Sequence, residues 1–387
     1  MNYPTLLYHK NNSELTISIN HVRQIAAHKD LWDDFLPEMH HLKLRHLLAL
    51  ENAQLPDIEN HYLQIFIKDK LVGLAYLQLF KFTSAHLNFD TPGGFQSRVI
   101  KFILPKKLHL LICGNLFRIN FQGYYFKNEL HNALIFDAIE LFIKQAGKLK
   151  PCGIIVKDCR EVFLEEQYTV PKYLFFTGDV TMEIARRQHW NTFDDYLNDL
   201  TKKYLKRAKK IIKAFDGIVI KELSAAEISE NATVIERLYW NVVNKQKVRL
   251  GTVNAAYLYE LKKDLEQNFE LHAIYYNNIM VGFYTYIFYR TEMEAHYIGL
   301  DYAYNDIHKT YFNILFLSVR KMIERKYDKL ELGRTSKEAK TNLGAHPKQI
   351  FNYIKIKNPA AKFILQYFLK RFNRSEDQKQ LERSPLK

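Results

Sequence analysis

Cysteine is scarce, with only Cys113, Cys152 and Cys159 in 387 residues. The number is odd, and neither CxxC nor metal-ligand spacing is present. That argues against a disulfide scaffold and against a cysteine zinc site, and it fits reduced thiols in a cytoplasmic protein. Acidic residues are also short: 42 Asp and Glu against 56 Lys and Arg leave a formal charge of +14. An anionic partner is therefore expected, such as a nucleotide, tRNA or an acidic membrane surface. No apolar run is long enough to span a bilayer. The opening MNYPTLLYHKNNSELTISIN lacks a basic n-region followed by an apolar h-region, so no secretory signal is expected. Apolar residues are plentiful. Hydrophobic residues at 47% and aromatics at 14% suffice for packed cores, and 387 residues exceed one ordinary core, so two domains are predicted.

Read in order, the first fifty residues predict a strand near Leu15–Ile19 and helices around Asp30–Met39 and Leu42–Glu51, with Trp32, Phe35 and Leu36 in the core. LQIFIKDKLVGLAYLQLF reads as a hairpin turning at Lys68-Asp69-Lys70. A strand at His109–Cys113, a helix over Glu129–Gln145 and a strand at Gly153–Val156 follow. The same order returns later. Ile65-Phe66-Ile67 with Leu71-Val72-Gly73 aligns with Ile274-Tyr275-Tyr276 and Met280-Val281-Gly282, an offset of 209 residues (282 − 73 = 209). The chain thus reads as two copies of one α/β unit.

Between the copies one long helix is expected from Asn191-Thr192 to Gly217. It opens on a Thr192/Asp195 capping pattern, with Phe193, Leu197, Leu200, Tyr204, Ala208, Ile211 and Phe215 on its apolar side. Its other face carries Lys202, Lys203, Lys206, Arg207, Lys209, Lys210 and Lys213. A solvated helix face accounts for such charges; an anion platform accounts for their lack of interspersed acids. From Thr291 onward the sequence predicts a strand through Tyr297, a polar loop, a helix starting at Thr310 and a short strand at Lys329–Gly333. In such a unit the loop and helix start lie at the carboxyl end of the first strand, where α/β proteins bind ligands. The next stretch, Gly333 to Pro347, is rich in cations and hydroxyls, with Thr335 or Ser336 as a helix cap and the helix ending at Gly344. Arg334, at a strand's carboxyl end, suits a bidentate grip on phosphate or carboxylate.

The doubled α/β unit, the segment Trp190-Asn191-Thr192-Phe193-Asp194-Asp195-Tyr196-Leu197 leading into the basic helix, and the strand-loop-helix ending in Leu332-Gly333-Arg334 resemble the FemAB-like branch of the GNAT acyltransferase superfamily. The resemblance covers roughly residues 15 to 357 and implies a mixed α/β fold of two tandem GNAT-like domains. The implied domains are 1–180, a degenerate copy, 181–357 with the basic helix and the active site, and 358–387 as an amphipathic helix with a disordered tail. The implied activity is transfer of an acyl or aminoacyl group, from acyl-CoA or aminoacyl-tRNA, to an amine or hydroxyl acceptor, in cell-envelope synthesis or on a small molecule. Acyl-CoA would be a co-substrate, with no permanently bound cofactor and no metal. One departure bears on the donor. Simple GNAT enzymes hold the coenzyme A pyrophosphate with a glycine-rich turn, whereas Asn305-Asp306-Ile307-His308-Lys309-Thr310-Tyr311 has no glycine.

Acyl transfer needs a base for the nucleophile, donors for the oxyanion and an acid for the leaving group. Tyr297, Asp301 and Arg334 are the expected catalytic residues. Lys203, Lys206, Arg207, Asn305, Lys309, Tyr311, Ser336 and Lys340 are expected to hold the donor. Strict alternation would turn His296 and Ile298 away from the face that Tyr297 presents. A basic amphipathic helix from Pro359, within 359–374, is expected to pack on the second domain or to touch an acidic membrane. The competing reading is a non-catalytic GNAT-like protein that binds nucleic acid or an anionic surface through its basic helix.

Overall fold

The structure is a computed structural model and describes residues 5–10, 13–86, 108–163, 173–246, 249, 251–357 and 384–387. The helix expected from Pro359 lies outside the described residues. In chain order the elements are β1 (Thr5–Lys10), β2 (Ser13–Val22), α1 (Lys29–Phe35), α2 (Leu44–Asn52), β3 (Ile58–Ile67), β4 (Lys70–Phe82), β5 (Leu108–Cys113), β6 (Tyr124–Phe126), α3 (Leu134–Gln145) and β7 (Gly153–Cys159). Then come β8 (Leu174–Ala185), α4 (Phe193–Asp199), α5 (Lys202–Lys213), β9 (Ile218–Glu222), α6 (Ala225–Glu230), α7 (Ala232–Val243) and α8 (Ala255–Leu265). The chain ends with β10 (Phe269–Tyr276), β11 (Ile279–Tyr289), β12 (Glu292–Leu300), α9 (Tyr302–His308), α10 (Thr310–Glu324), β13 (Lys329–Glu331), α11 (Lys337–Thr341) and β14 (His346–Ile356).

These elements form two compact units. The first has strands in the order β1-β2-β3-β4-β5-β7 and is completed by residues 350–356 of β14, antiparallel to β7. The sequence division at 180/181 left those residues with the second half. Helix α3 packs on the sheet, its Ile135, Ala138, Ile139 and Phe142 meeting Ile19, Leu63, Leu77 and Ile154 in one buried cluster. The second unit orders residues 180–185 of β8, then β13, β12, β11, β10 and β9. Its core joins Met182, Ile184, Trp190, Met293, Val319, Met322 and Leu330. Both sheets combine antiparallel hairpins with one parallel pair beside the crossover helix, β5 with β7 and β12 with β13. This is the tandem mixed α/β arrangement that the resemblance implies.

The repeat extends to backbone detail. In the first hairpin the register shifts between Ile65 and Phe66, and in the second between Ile274 and Tyr275, again 209 positions on (274 − 65 = 209). The two-residue turns match too: Lys68 and Asp69 have φ 46° and 63°, Asn277 and Asn278 have φ 48° and 62°. Positive φ at both central residues is the turn that suits a right-twisted hairpin.

Three expectations about these elements need correction. The long helix from Thr192 is in fact two helices. Thr192 and Asp195 do form the capping box of α4, but Leu200 is extended (ψ 140°) and the Thr201 amide donates to Pro385 O at 2.9 Å. Residues 384–387, expected to be disordered, occupy that break: Leu386 bridges Leu200, and the Lys387 amide donates to Asp199 O at 2.8 Å. The polar loop after β12 is also structured, as α9, with Asp301 as its N-cap. Among the described residues no helix is long and apolar enough to cross a membrane.

Candidate active site

The second unit opens where β12 and β13 part. The two are paired in parallel only from Glu292↔Lys329 to Glu294↔Glu331. Beyond Glu331 the chain stays with β8, its antiparallel neighbour, where the Leu332 amide donates to Met182 O at 2.8 Å and Gly333 O accepts from the Met182 amide at 3.2 Å. Gly333 has φ 81°, a conformation that disfavours any side chain. Strand β12 runs on to Leu300, held on its other side by β11. A fork results, with a strand edge inside it.

A bulge sits in that edge. Tyr286 faces Ala295 and Tyr284 faces Ile298, so Thr285 alone opposes His296 and Tyr297. The Thr285 hydroxyl bridges the gap, accepting from the Tyr297 amide at 2.8 Å and donating to Tyr297 O at 3.2 Å. A bulge re-aims side chains and suspends strict alternation. The rings of His296 and Tyr297 accordingly lie 4.3 Å apart, edge to face, rather than on opposite faces. Tyr239 of α7 packs on Tyr297 at 5.5 Å and Tyr257 of α8 on His296 at 6.0 Å. Burial, with Tyr239 beside it, pushes the Tyr297 phenol well above its ordinary range, so it stays protonated at neutral pH.

Glu331, at the crotch of the fork, was not singled out from sequence. Leu330 and Leu332 on either side point into the core, which turns Glu331 to the other face. It is 5% exposed. One carboxylate oxygen, Oε1, accepts from the Gly333 amide at 2.9 Å and from the Thr181 hydroxyl. The other, Oε2, has no hydrogen-bond partner among the described residues. The nearby lysines are committed elsewhere: Lys329 to Glu292 (2.7 Å) and Glu183 (3.6 Å), Lys348 to Glu183 (3.3 Å). Burial raises the Glu331 pKa to about 7, and the carboxylates of Glu294 and Glu183 push the same way against the two donors. A carboxyl balanced near neutrality with one open oxygen can take a proton and release it.

The other predicted residues divide into groups. Asp301 caps α9, accepting from the Ala303 amide at 3.1 Å, and pairs with Arg237 at 3.5 Å. Asn305 Oδ1 accepts from the Tyr311 amide at 3.0 Å, and Lys309, in the left-handed region, donates from Nζ to Asp306 O at 2.7 Å. Asn313 ties this turn to α5, donating to Ile211 O at 2.9 Å and His308 O at 3.0 Å. Tyr311, largely packed away, is raised by burial, while a hydrogen bond with Ser336 acts in the opposite sense. Ser336 was expected to cap a helix with its hydroxyl. Instead it has φ 53° and makes no side-chain cap bond. Lys340 is buried and donates to Gly333 O at 3.1 Å, bracing the turn that carries the half-buried Arg334. Of the basic helix, Arg207 lies over the Phe312 ring at 5.6 Å, beside Tyr311, whereas Lys203 and Lys206 are exposed. The structure thus gathers Arg207, Asn305, Lys309, Tyr311 and Ser336 around the start of α10.

The first unit lacks the fork. There β5 and β7 stay paired up to Cys113↔Val156. The next residue, Lys157, is 7% exposed and donates to Asn115 O (2.9 Å), Arg118 O (3.1 Å) and the Asp158 carboxylate. Asp158 in turn accepts from the Phe121 amide at 3.0 Å. A buried ion pair fills the space between the strand ends. Among the described residues one group has metal-ligand spacing, Glu222, Glu270 and His272. Glu270 already pairs with His272 (2.7 Å), Lys321 (2.8 Å) and Arg325 (2.7 Å), and His272 and Lys321 hold its pKa down to about 2 against burial.

No family model matches the sequence, and no curated protein matches it. Similar solved structures include FemX, with TM-score 0.48 and 10% identity over 89% of this chain and 99% of FemX. A conserved protein of unknown function from Bacteroides thetaiotaomicron VPI-5482 gives TM-score 0.49 and 12% identity over 87% of this chain and 98% of its own. A tandem GNAT protein from the clavulanic acid biosynthesis pathway gives 0.48 and 9% over 89% and 99%. At such identities these are likenesses of fold, and no activity passes with them.

Proposed function

We propose that this chain is an acyltransferase whose site is the β12–β13 fork of the second unit. The observation that carries the reading is Glu331: a buried carboxyl at about 7 with one oxygen unpartnered, at the point where two parallel strands separate. In this reading Glu331 Oε2 takes the proton of an amine or hydroxyl acceptor. The acceptor attacks the carbonyl carbon of a thioester or aminoacyl ester donor, and an amide of the open β12 edge stabilises the oxyanion. As the tetrahedral intermediate collapses, the C–S or C–O bond breaks and the Tyr297 phenol protonates the leaving group. Arg334, Lys203, Lys206, Arg207, Asn305, Lys309, Tyr311 and Ser336 hold the phosphates of acyl-CoA or aminoacyl-tRNA, at a helix start where amides favour anions, while Lys340, buried on Gly333 O, braces the turn that carries Arg334. Asp301 keeps α9 in place through its cap and its Arg237 pair.

The test presents acetyl-CoA, longer acyl-CoAs and aminoacyl-tRNA with a mixture of amine and hydroxyl acceptors, following thiol or tRNA release and product mass. Acceptor-dependent turnover that falls about a hundredfold or more in Glu331→Gln is expected, the scale of lost acid–base catalysis. Saturable nucleic-acid binding without turnover from any donor would instead support the non-catalytic reading.

A further inference from the structure

Helix α5 has no acidic residue, and seven of its 12 residues are cations. All seven (Lys202, Lys203, Lys206, Arg207, Lys209, Lys210, Lys213) are exposed, while Ala208 and Ile211 are buried on the opposite side. Lys202, Lys206, Lys209 and Lys213 recur at four, three and four residues and so form one outward row. None of these four has an ion-pair partner within the helix. The end of the row meets an apolar corner. Ala214 O lies 3.2 Å from His308 Nδ1, and the His308 ring lies 4.5 Å from that of Tyr276. Next to His308 is Ile307, 67% exposed; opposite Tyr276 in the hairpin is Ile279, 53% exposed. Asp216 and Asp306 are the acids of this corner, both exposed.

We infer that the outward row of α5, with Ile279 and Ile307, is a docking surface for an anionic lipid bilayer. A cationic row attracts acidic headgroups, and two large exposed aliphatic side chains beside it gain by entering the boundary between headgroups and acyl chains. Nucleic acid would use the same charge, but it gives isolated isoleucines nothing to stack on or hydrogen-bond. The inference is separable from the transfer reaction: of the row only Lys206 is among the proposed donor-binding residues, and the lysine variant below leaves it unchanged.

The experiment is sedimentation of the full chain with vesicles of phosphatidylcholine alone, or with about a third phosphatidylglycerol. Binding to the anionic vesicles only, weakening as salt rises, is expected. Replacing Lys202, Lys209 and Lys213 with Gln should weaken it about a hundredfold, at about fivefold per cation. Replacing Ile279 and Ile307 with Ser should weaken it about tenfold or more while leaving the salt slope unchanged. Circular dichroism of both variants should be unaltered, since every substituted side chain is exposed. Failure to sediment with anionic vesicles would overturn the inference, as would binding unchanged in the lysine variant. Tight tRNA binding without vesicle binding would assign the surface to nucleic acid and overturn it equally.

Discussion

Glu331→Gln should change stability and activity in opposite directions, and the sign follows from burial. An ordinary glutamate in the unfolded chain titrates near 4.5, whereas Glu331 in the fold titrates at about 7. Between these pH values the folded protein holds a proton that the unfolded chain has lost, so stability falls as pH rises through this window. The gap corresponds to about 3 kcal/mol, fully lost above pH 7 and fully retained below 4.5. No discount for solvent screening applies, because the side chain is almost wholly buried. Gln keeps the shape and removes the titration. Urea unfolding at several pH values from about 4.5 to 8 should therefore show wild type losing about 3 kcal/mol relative to the variant. Activity should run the other way, because a base must be ionised. Wild-type kcat/KM should rise with pH through about 7, and the variant should lack that limb. Parallel stability curves for the two proteins would refute the reasoning, since they would mean that Glu331 titrates as it does in the unfolded chain.

Replacing Lys203, Lys206 and Arg207 with Gln should weaken donor binding and flatten its salt dependence without unfolding α5, whose apolar side is untouched; titration of donor at two salt concentrations checks this. Arg334→Ala should lower transfer about tenfold or more, as expected for one lost charge-assisted contact, while Arg160→Ala should leave it nearly unchanged. Tyr297→Phe should lower kcat more than KM if the phenol protonates the leaving group, which steady-state kinetics with donors of differing leaving-group pKa can read. Lys157→Met should cost about 3 kcal/mol or more in denaturant unfolding, because it strands the buried Asp158 carboxylate; an unchanged midpoint would remove the plug argument for the first unit.

The repeat was legible because hairpin alternation is written in adjacent residues, and the 209-residue offset carried the register shift and the turn along with it. The α4 capping box was legible for the same reason, since Thr192 and Asp195 are three residues apart. The break after Asp199 was not. Its partners, Pro385 to Lys387, lie almost two hundred residues downstream, and the local apolar period runs straight through Leu200. The alternation expected between His296 and Tyr297 fails, because the bulge depends on Thr285 in the neighbouring strand. Of Thr335 and Ser336, Ser336 does stand at the N-cap of α11, but residue type alone cannot show that its backbone is left-handed and that its hydroxyl makes no cap bond. Glu331 was missed altogether. A single acid between two leucines reads as the solvent face of a half-buried strand. Only tertiary packing, with Thr181 on one side and the Gly333 turn on the other, puts that face indoors.

The two copies differ at the position where the proposed reading puts the chemistry. Each unit brings a parallel strand pair to the start of a crossover loop, the position where α/β sheets place ligands. In the first, the residue after the last paired position is Lys157, whose ammonium is spent on two carbonyls and the Asp158 carboxylate. A charge so fully satisfied has nothing left to offer a substrate, and moving it would leave Asp158 buried and unpaired. In the second, the last paired position is itself an acid, one oxygen is held by two donors and the other is left over, and the strand beside it continues alone past a bulge. The same backbone thus closes its mouth with an ion pair in one copy and leaves a titratable carboxyl there in the other. Side chains at a single level of the sheet distinguish the two copies, and the proposed reading assigns packing to one and reactivity to the other.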